Sequence, residues 1–199
     1  LNSLYPHLIM QYNISPETLW ETRHPSVSVD KILNKDVSID GDFAVCANGA
    51  QYRKDVRGFL PELMEKIYDE RKQYKSKMLA AKRANEESPS LSLQKDISRY
   101  NNFQMARKIQ LNSAYGAIGN EYFRYYKLAN AEAITLSGQV SIRWIENEIN
   151  IYLNKLLEGD DYLERNKYFD YVIASDTDSI YVTFDDLIQK VNPKNPIDF

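Results

Sequence analysis

The amino-acid sequence predicts an α+β chain in which short antiparallel strands flank a long helical hairpin. Three observations carry this prediction: an Asn-Gly turn between two strand-like runs, two long stretches of helical periodicity separated by one polar break, and a second strand-turn-strand pattern near the C-terminus. With 199 residues and 43% hydrophobic content, the chain can bury one substantial core or two small ones.

The first fifty or so residues combine helix and strand signals. Ser15 followed by Pro16 is typical of an N-cap and the first helical position, so the sequence predicts a short helix there. Further on, the runs 43–47 and 50–54 flank Asn48-Gly49, the strongest short signal for a β-hairpin.

The middle of the chain has apolar residues at helical spacing and little Gly or Pro. One amphipathic, basic helix is predicted from Pro61 to about Arg83, and a second from about Leu93 to Ile118, with the polar segment 85–90 between them. A connection this short predicts that the two helices form a hairpin. A third helix is predicted over about 131–157.

Two aspartates near the C-terminus, Asp176 and Asp178, stand in a turn between the strand-like runs 168–174 and 180–184. In extended backbone, residues i and i+2 point to the same side, so both carboxylates can face one divalent cation. The same residues also fit an ordinary turn in which Asp, Thr and Ser side chains bond their own backbone. An EF-hand is excluded because Tyr181 stands where that loop needs Gly.

Composition points to an intracellular protein. Cys46 is the only cysteine, so no internal disulfide forms, and no apolar run approaches the roughly 20 residues of a membrane span. No signal peptide is recognisable, and we expect a cytoplasmic setting without membrane contact. Because the chain starts without Met, we also expect it to be part of a larger protein.

Charge is segregated along the chain. Residues 51–108 hold 14 Lys and Arg against 8 Asp and Glu, whereas residues 141–199 hold 6 against 12. A basic region opposite an acidic one suits an anionic substrate bound through metal ions, although mixed charge on solvated helical faces is also common.

Two polar stripes are predicted on the central helices. Lys108, Asn112 and Tyr115 fall at i, i+4 and i+7, and Arg71 and Lys75 at i and i+4. Such cations can grip a polyphosphate, or they can belong to an ordinary solvated face. The next residue after the first stripe, Gly116, costs roughly 1 kcal/mol inside a helix compared with Ala and therefore indicates close approach by another group.

Three motifs in this order resemble those of family B DNA polymerases. Leu1–Pro6 resembles the first motif, D-x-x-S-L-Y-P; Lys108–Gly116 resembles the second, K-x-x-x-N-S-x-Y-G; and Asp176–Ser179 resembles the third, D-T-D-S. Other stretches, including residues 13–18 and 123–126, are similar to the replicative polymerases of tailed bacteriophages.

The resemblance implies a palm domain, an antiparallel sheet with packed helices, interrupted by a fingers insertion that forms a helical hairpin. By position, the palm covers residues 1–57 and 121–199 and the fingers cover residues 58–120. The implied reaction is two-metal transfer of a nucleotide from dNTP to a primer 3′-hydroxyl, with pyrophosphate release, in viral DNA replication. The implied cofactors are two Mg²⁺ ions, and the implied partners are a DNA primer-template, dNTP and a sliding clamp.

The resemblance also assigns roles to single residues. Asp176 and Asp178 would be the catalytic metal ligands, joined by the backbone carbonyl of Leu1. At the triphosphate it places the backbone of Ser3 and Leu4 and three cations, Arg71, Lys75 and Lys108. Tyr5 would lie under the sugar. Asn112, Tyr115 and Gly116 would lie at the nascent base pair.

Some family features are expected outside this sequence. The first-motif aspartate would stand directly before Leu1, and the exonuclease and thumb domains would flank the chain, so we expect the 199-residue chain alone to be inactive. An alternative is a non-catalytic nucleic-acid-binding module with a structural Asp-rich turn. A metal-dependent nuclease also uses clustered carboxylates, but it gives no role to Tyr5, Asn112 and Tyr115.

Overall fold

The computed structural model describes residues 3–39, 41–165 and 167–191. Its elements in chain order are α1 (Leu4–Tyr12), α2 (Val29–Leu33), β1 (Phe43–Val45), β2 (Gln51–Arg53), α3 (Phe59–Glu87), α4 (Leu91–Ile118), α5 (Leu128–Glu158), β3 (Val172–Asp176), β4 (Ser179–Val182) and α6 (Asp185–Val191). β1 pairs antiparallel with β2, and β3 with β4. The predicted α+β class with two antiparallel hairpins is confirmed.

Helix α1 lies at the centre of the fold and packs against α3, α4 and α5. The buried cluster around it draws apolar side chains from every one of these helices and from the first hairpin: Leu4, Leu8, Ile9, Ile14, Cys46, Tyr52, Leu60, Met64, Leu111, Ile118, Ala133 and Ile134. One continuous core therefore joins the first fifty residues to the helices that follow them.

The predicted helix after Ser15 is wrong: residues 16–18 form a turn. Its capping groups serve the start of α3 instead. The Phe59 N–H donates to Glu17 Oε1 over 2.6 Å, and the Leu60 N–H donates to Ser15 Oγ over 3.4 Å. The reason is that α3 begins after Gly58, which has no side chain to satisfy the first N–H groups of the helix.

Helices α3 and α4 form an antiparallel hairpin. Arg107 Nε donates to Glu70 Oε2 over 2.8 Å, and the rings of Tyr74 and Phe103 lie 5.0 Å apart between centroids. Each contact joins a residue of one helix to a residue of the other, and together they fix the register. The polar break is shorter than predicted because α3 continues to Glu87 and α4 begins at Leu91, where Ser90 caps it by accepting the Leu93 N–H.

The Asn-Gly hairpin is docked on the start of α5 by polar contacts. Asn48 Nδ2 donates to the Ala129 carbonyl over 3.0 Å, and the buried Tyr52 hydroxyl donates to Asn130 Oδ1 over 2.9 Å. Gly49 adopts a φ of +78°, and a Cβ there would meet the His24 carbonyl at 2.8 Å, so the turn requires glycine.

The long helices are rich in charge. α3, α4 and α5 contain 29, 28 and 31 residues, which is enough to cross a bilayer in length alone. None of the helices within the described part of the chain is apolar enough to do so.

Candidate active site

One cavity of about 430 Å³ is lined by four separate parts of the chain. Its volume falls in the range of roughly 300–1,000 Å³ that is typical of small-molecule sites. The lining residues come from the start of α1, from α3, from α4 and from the β3–β4 turn: Ser3, Leu4, Tyr5 and Pro6; Arg71; Lys108, Asn112 and Tyr115; Thr177 and Asp178. Eight of the twelve site residues named from the sequence lie in this lining.

The first wall is the N-terminus of α1. Ser3 precedes the helix in the left-handed region, at φ 59°, and its side chain makes no cap hydrogen bond. The first N–H groups of a helix lack intrahelical partners and carry partial positive charge, so this end of α1 favours an anion. Leu1, whose backbone carbonyl is the third predicted metal ligand, lies outside the described residues.

Tyr5 and Tyr115 form the floor. Their ring centroids lie 4.4 Å apart with the planes tilted by 42°, and the Tyr115 hydroxyl is 3.0 Å from Thr135 Oγ1 on α5. Gly138, also on α5, faces Tyr5: a Cβ there would approach Tyr5 Cε1 to 3.2 Å. Thr135 and Gly138 were not named from the sequence, although a glycine inside a helical pattern was the signal for one of them.

A second wall of the cavity is formed by Arg71 of α3 and Lys108 of α4, which lie beside an ion pair between these two helices. Glu70 and Arg107 bind each other across the hairpin, and the next residue of each helix, Arg71 and Lys108, lines the cavity. Arg71 Nη1 donates to Ser3 Oγ over 3.4 Å, whereas its buried Nε meets no acceptor among the residues that the structure describes. A buried, unsatisfied guanidinium N–H costs about 1–3 kcal/mol, so an acceptor from outside the described residues would stabilise this group.

Lys75 does not line this cavity. It lies one turn beyond Arg71 on α3, exposed, in a separate groove of about 360 Å³ together with Lys72, Ser76 and Arg83. The two predicted cations of α3 therefore face different recesses in this conformation.

Asn112 and Gly116 occupy the exposed side of α4. Asn112 lines the cavity, and Gly116 lies one helical turn further on. A Cβ at Gly116 would meet no protein atom within 4 Å among the described residues. The described residues therefore leave the space beside this glycine open.

The carboxylates lie at the β3–β4 turn. Asp176 ends β3 and pairs with Ser179, and the turn residue between the aspartates, Thr177, adopts a φ of +38°, a strained value for a β-branched residue. Thr177 Oγ1 donates to Asp176 Oδ1 over 3.0 Å. Asp178 lines the cavity and is half-buried, while Asp176 is exposed, because the chain turns between them instead of continuing as a strand.

The carboxylates at the β3–β4 turn affect the pKa of Tyr5 on the cavity floor. Burial raises the pKa of the Tyr5 hydroxyl above its ordinary value, and Tyr115, Asp178 and Asp176 raise it further. Asp178 lines the same cavity as Tyr5. Over the described residues, no cluster of three or more His, Cys, Asp and Glu side chains forms a metal site. A pair of carboxylates still fits Mg²⁺, which usually binds through one or two carboxylates, waters and substrate phosphates.

Comparison with known proteins identifies the family of the chain. A family model described as DNA polymerase family B matches residues 1–191. The DNA-directed DNA polymerases of Enterobacteria phage T4 and Escherichia phage RB69 are 34% and 35% identical to this chain over 96% of its length. A solved structure, that of the family B DNA polymerase from the hyperthermophilic archaeon Pyrobaculum calidifontis, matches with a TM-score of 0.53 at 26% identity.

Coverage is unequal in these matches. The chain spans 25% of each phage polymerase, while the archaeal structure covers 98% of this chain and is itself matched over 21% of its length. The chain therefore corresponds to about a quarter of its relatives. Since the family model matches nearly all of it and stretches resembling the family's three motifs occur in order, the chain belongs to DNA polymerase family B.

Proposed function

We propose that this chain is the catalytic core of a DNA-directed DNA polymerase that acts in viral DNA replication in the cytoplasm of a host cell. The complete polymerase transfers a nucleotide from dNTP to the 3′-hydroxyl of a DNA primer and releases pyrophosphate. The observation that carries this proposal is that Arg71, Lys108, Tyr5 and Asp178, from four separate parts of the chain, line one cavity. Relatives in two phages are named DNA-directed DNA polymerases.

We assign residues 1–57 and 121–199 to the palm and residues 58–120 to the fingers. The support for this division is that α3 and α4 contact each other more extensively than any other two elements, whereas the β3–β4 hairpin with the carboxylate turn packs against α5. Relative motion of the α3–α4 hairpin then brings its cations toward or away from the carboxylates.

The triphosphate binds between α1 and the hairpin. Arg71 offers a planar fork with an unsatisfied Nε, Lys108 adds a point charge, and the backbone N–H groups at Ser3 and Leu4 complete the anion site. Lys75 lines a separate groove in this structure. It joins the other two cations when the α3–α4 hairpin moves toward the carboxylates.

The sugar and base occupy the opposite side of the cavity. Tyr5 packs under the sugar and excludes a 2′-hydroxyl, and its ring contacts Tyr115 on one side and lies close to Gly138 of α5. Asn112 and Tyr115 line the nascent base pair, and the open side of Gly116 admits the DNA.

The metal ligands are Asp176 and Asp178, with the carbonyl of Leu1. When bound, two Mg²⁺ ions lower the pKa of the primer hydroxyl and neutralise the charge that builds up on the phosphates. The role of the chain is to hold carboxylates on one side and Arg71 and Lys108 on the other, so that the phosphate under attack is fixed between them.

A second candidate is a non-catalytic nucleic-acid-binding module, in which the hairpin cations contact phosphates and the aspartates only form a turn. The hydrogen bond from Thr177 to Asp176 favours it. It leaves unexplained why Asp178 lines the same cavity as Arg71 and Lys108.

Primer extension by the full-length polypeptide that contains this chain separates the two. We expect template-directed incorporation of dNTP that requires Mg²⁺ and stops on chelation, together with tight binding of primer-template. The relevant comparison is DNA binding measured by fluorescence anisotropy on the same preparation. Binding without Mg²⁺-dependent incorporation would support the second candidate and contradict the first.

A further inference from the structure

Two buried asparagines on α5 hold the strand that leads to the carboxylate turn. Asn150 is 3% exposed and Asn154 is fully buried, and they lie one helical turn apart on the same face. Asparagine is a poor residue for a helix interior because its side chain competes for backbone hydrogen bonds. Their presence there calls for a specific function.

Asn154 pairs with the backbone of Phe169 as a neighbouring strand would. Its Nδ2 donates to the Phe169 carbonyl over 2.7 Å, and its Oδ1 accepts the Phe169 N–H over 2.8 Å. The same Nδ2 also donates to the Asn150 carbonyl over 2.8 Å. The amide therefore anchors the chain just before β3 through both a donor and an acceptor.

Asn150 continues this pairing two residues along. Its Oδ1 accepts the Tyr171 N–H over 2.8 Å, and its Nδ2 donates to Asp170 Oδ1 over 2.8 Å. Asp170 Oδ1 also accepts the Val172 N–H, the first of β3, over 3.1 Å. Three backbone groups at the base of the hairpin are thus fixed to α5 through two side chains.

Among the described elements, α5 is the main support of the β3–β4 hairpin. β3 pairs with β4 alone among the described strands, and most of its side chains are exposed. α5 also carries Thr135 and Gly138, which contact the floor residues Tyr115 and Tyr5. At 1.5 Å per residue, about 28 Å of one rigid helix separates Thr135 from Asn154, so α5 sets the distance between floor and carboxylates.

We propose that Asn150 and Asn154 are positioning residues that fix Asp176 and Asp178 relative to the nucleotide side of the cavity. They touch neither substrate nor metal. The inference rests on the proposed polymerase function for its kinetic consequence, but the attachment itself is testable without catalysis.

The test uses the full-length polypeptide and the variants Asn154→Asp and Asn154→Leu, with Asn147→Asp as a matched control on an exposed position of α5. Asn154→Asp keeps an acceptor for the Phe169 N–H and loses both donated bonds. Should Asn154→Leu fail to fold, the Asp variant and the corresponding Asn150→Asp variant remain informative.

Hydrogen exchange is the first measurement. We expect backbone amides over residues 169–182 to exchange at least 10-fold faster in Asn154→Asp, with α1, α3 and α4 unchanged and Asn147→Asp like the parent. Uniform acceleration throughout the chain, or none in the hairpin, overturns the proposal, and this result does not depend on polymerase activity.

The Mg²⁺ dependence of primer extension is the second measurement. Displaced carboxylates raise the Mg²⁺ concentration for half-maximal rate several-fold and lower kcat about 10-fold, while KM for dNTP and the Kd for DNA stay within 2-fold. A parent enzyme without activity would refute the proposed function and leave the exchange result standing. Equal Mg²⁺ profiles in an active parent and Asn154→Asp would refute the positioning role.

Discussion

The rings of Tyr5 and Tyr115 lie 4.4 Å apart and join the first turn of α1 to the last turns of α4. The edge of the Tyr5 ring lies close to Gly138, where a side chain would crowd it. The Tyr115 hydroxyl forms a hydrogen bond with Thr135 Oγ1. Two residues 110 positions apart in sequence thus form the floor of the cavity together, and both contact α5.

Replacing Tyr5 should remove discrimination against ribonucleotides. We expect Tyr5→Ala to lower the ratio of kcat/KM for dNTP over NTP by about 10- to 100-fold, because the ring that excludes the 2′-hydroxyl is gone. Tyr5→Phe is the matched control and keeps the parental ratio, since the ring does the excluding. Single-nucleotide incorporation kinetics measure both, and equal ratios in parent and Tyr5→Ala would remove this role.

Replacing Gly116 by alanine should raise the stability of the protein and lower its activity. Gly116→Ala adds a methyl group that meets no protein atom among the described residues and improves the helix, so the free energy of unfolding rises by about 0.5–1 kcal/mol. The same methyl group faces the space proposed for DNA, and we expect kcat/KM to fall at least 10-fold. Urea unfolding and primer extension on one preparation test the pair; a more stable variant with unchanged activity would show that nothing approaches Gly116.

Lys108 should act on the nucleotide. A charged contact to phosphate contributes about 1.5–3 kcal/mol, so Lys108→Ala is expected to lower kcat/KM for dNTP about 10- to 100-fold with little effect on DNA affinity. Lys95→Ala removes an exposed lysine from the same helix and serves as the control. An unchanged kcat/KM for Lys108→Ala would place the triphosphate elsewhere.

Asp178 should be required for turnover and dispensable for DNA binding. Asp178→Asn keeps the shape of the side chain but removes the charge that faces the cavity, and we expect the rate to fall about 1000-fold or more. Asp186→Asn, an exposed carboxylate on α6, is the control. Near-parental turnover by Asp178→Asn would count against the assignment of the carboxylate turn.

Cys46 should make the folded chain sensitive to alkali. Burial raises the pKa of its thiol from 9.0 to about 12, although a hydrogen bond with Ser137 offsets part of the effect. The folded state holds this proton more tightly, so the stabilisation is complete below pH 9 and is lost as pH rises toward 12. Between pH 9 and 10, the free energy of unfolding should fall by about 1 kcal/mol.

The comparison for this prediction is Cys46→Ala, which lacks the titrating group. Its free energy of unfolding should change less than that of the parent over pH 9–10, a range below most of the titration of Tyr52. Urea unfolding at both pH values provides the measurement. Equal losses in parent and variant would show that the Cys46 thiol is not the group responsible.

The sequence was informative wherever the signal is local. The Asn48-Gly49 turn predicted the first hairpin, helical periodicity predicted α3, α4 and α5, and both long-helix pairing and the carboxylate turn followed from short connections. The helix expected after Ser15 failed because its capping groups bond to Phe59 and Leu60, more than 40 residues away, and such pairing has no local signature.

The residues of the cavity also show which features follow from local sequence and which depend on tertiary packing. Motif spacing named Tyr5, Lys108 and Asp178, and their residue types alone indicated a ring, a cation and a carboxylate. Spacing placed Arg71 and Lys75 on one face of α3, but it did not show how far along the helix the cavity extends: Arg71 lines it, and Lys75, one turn further on, lines a separate groove.

The sequence by itself determined the two β-hairpins, the three long helices, the family and the chemical character of the site, since periodicity, turns and motifs are properties of neighbouring residues. Only the tertiary structure decided that α5 supports both sides of the cavity, with Gly138 against Tyr5 and Asn154 against Phe169. The physical reason is that these contacts join distant segments, and their geometry depends on how the helices pack around α1.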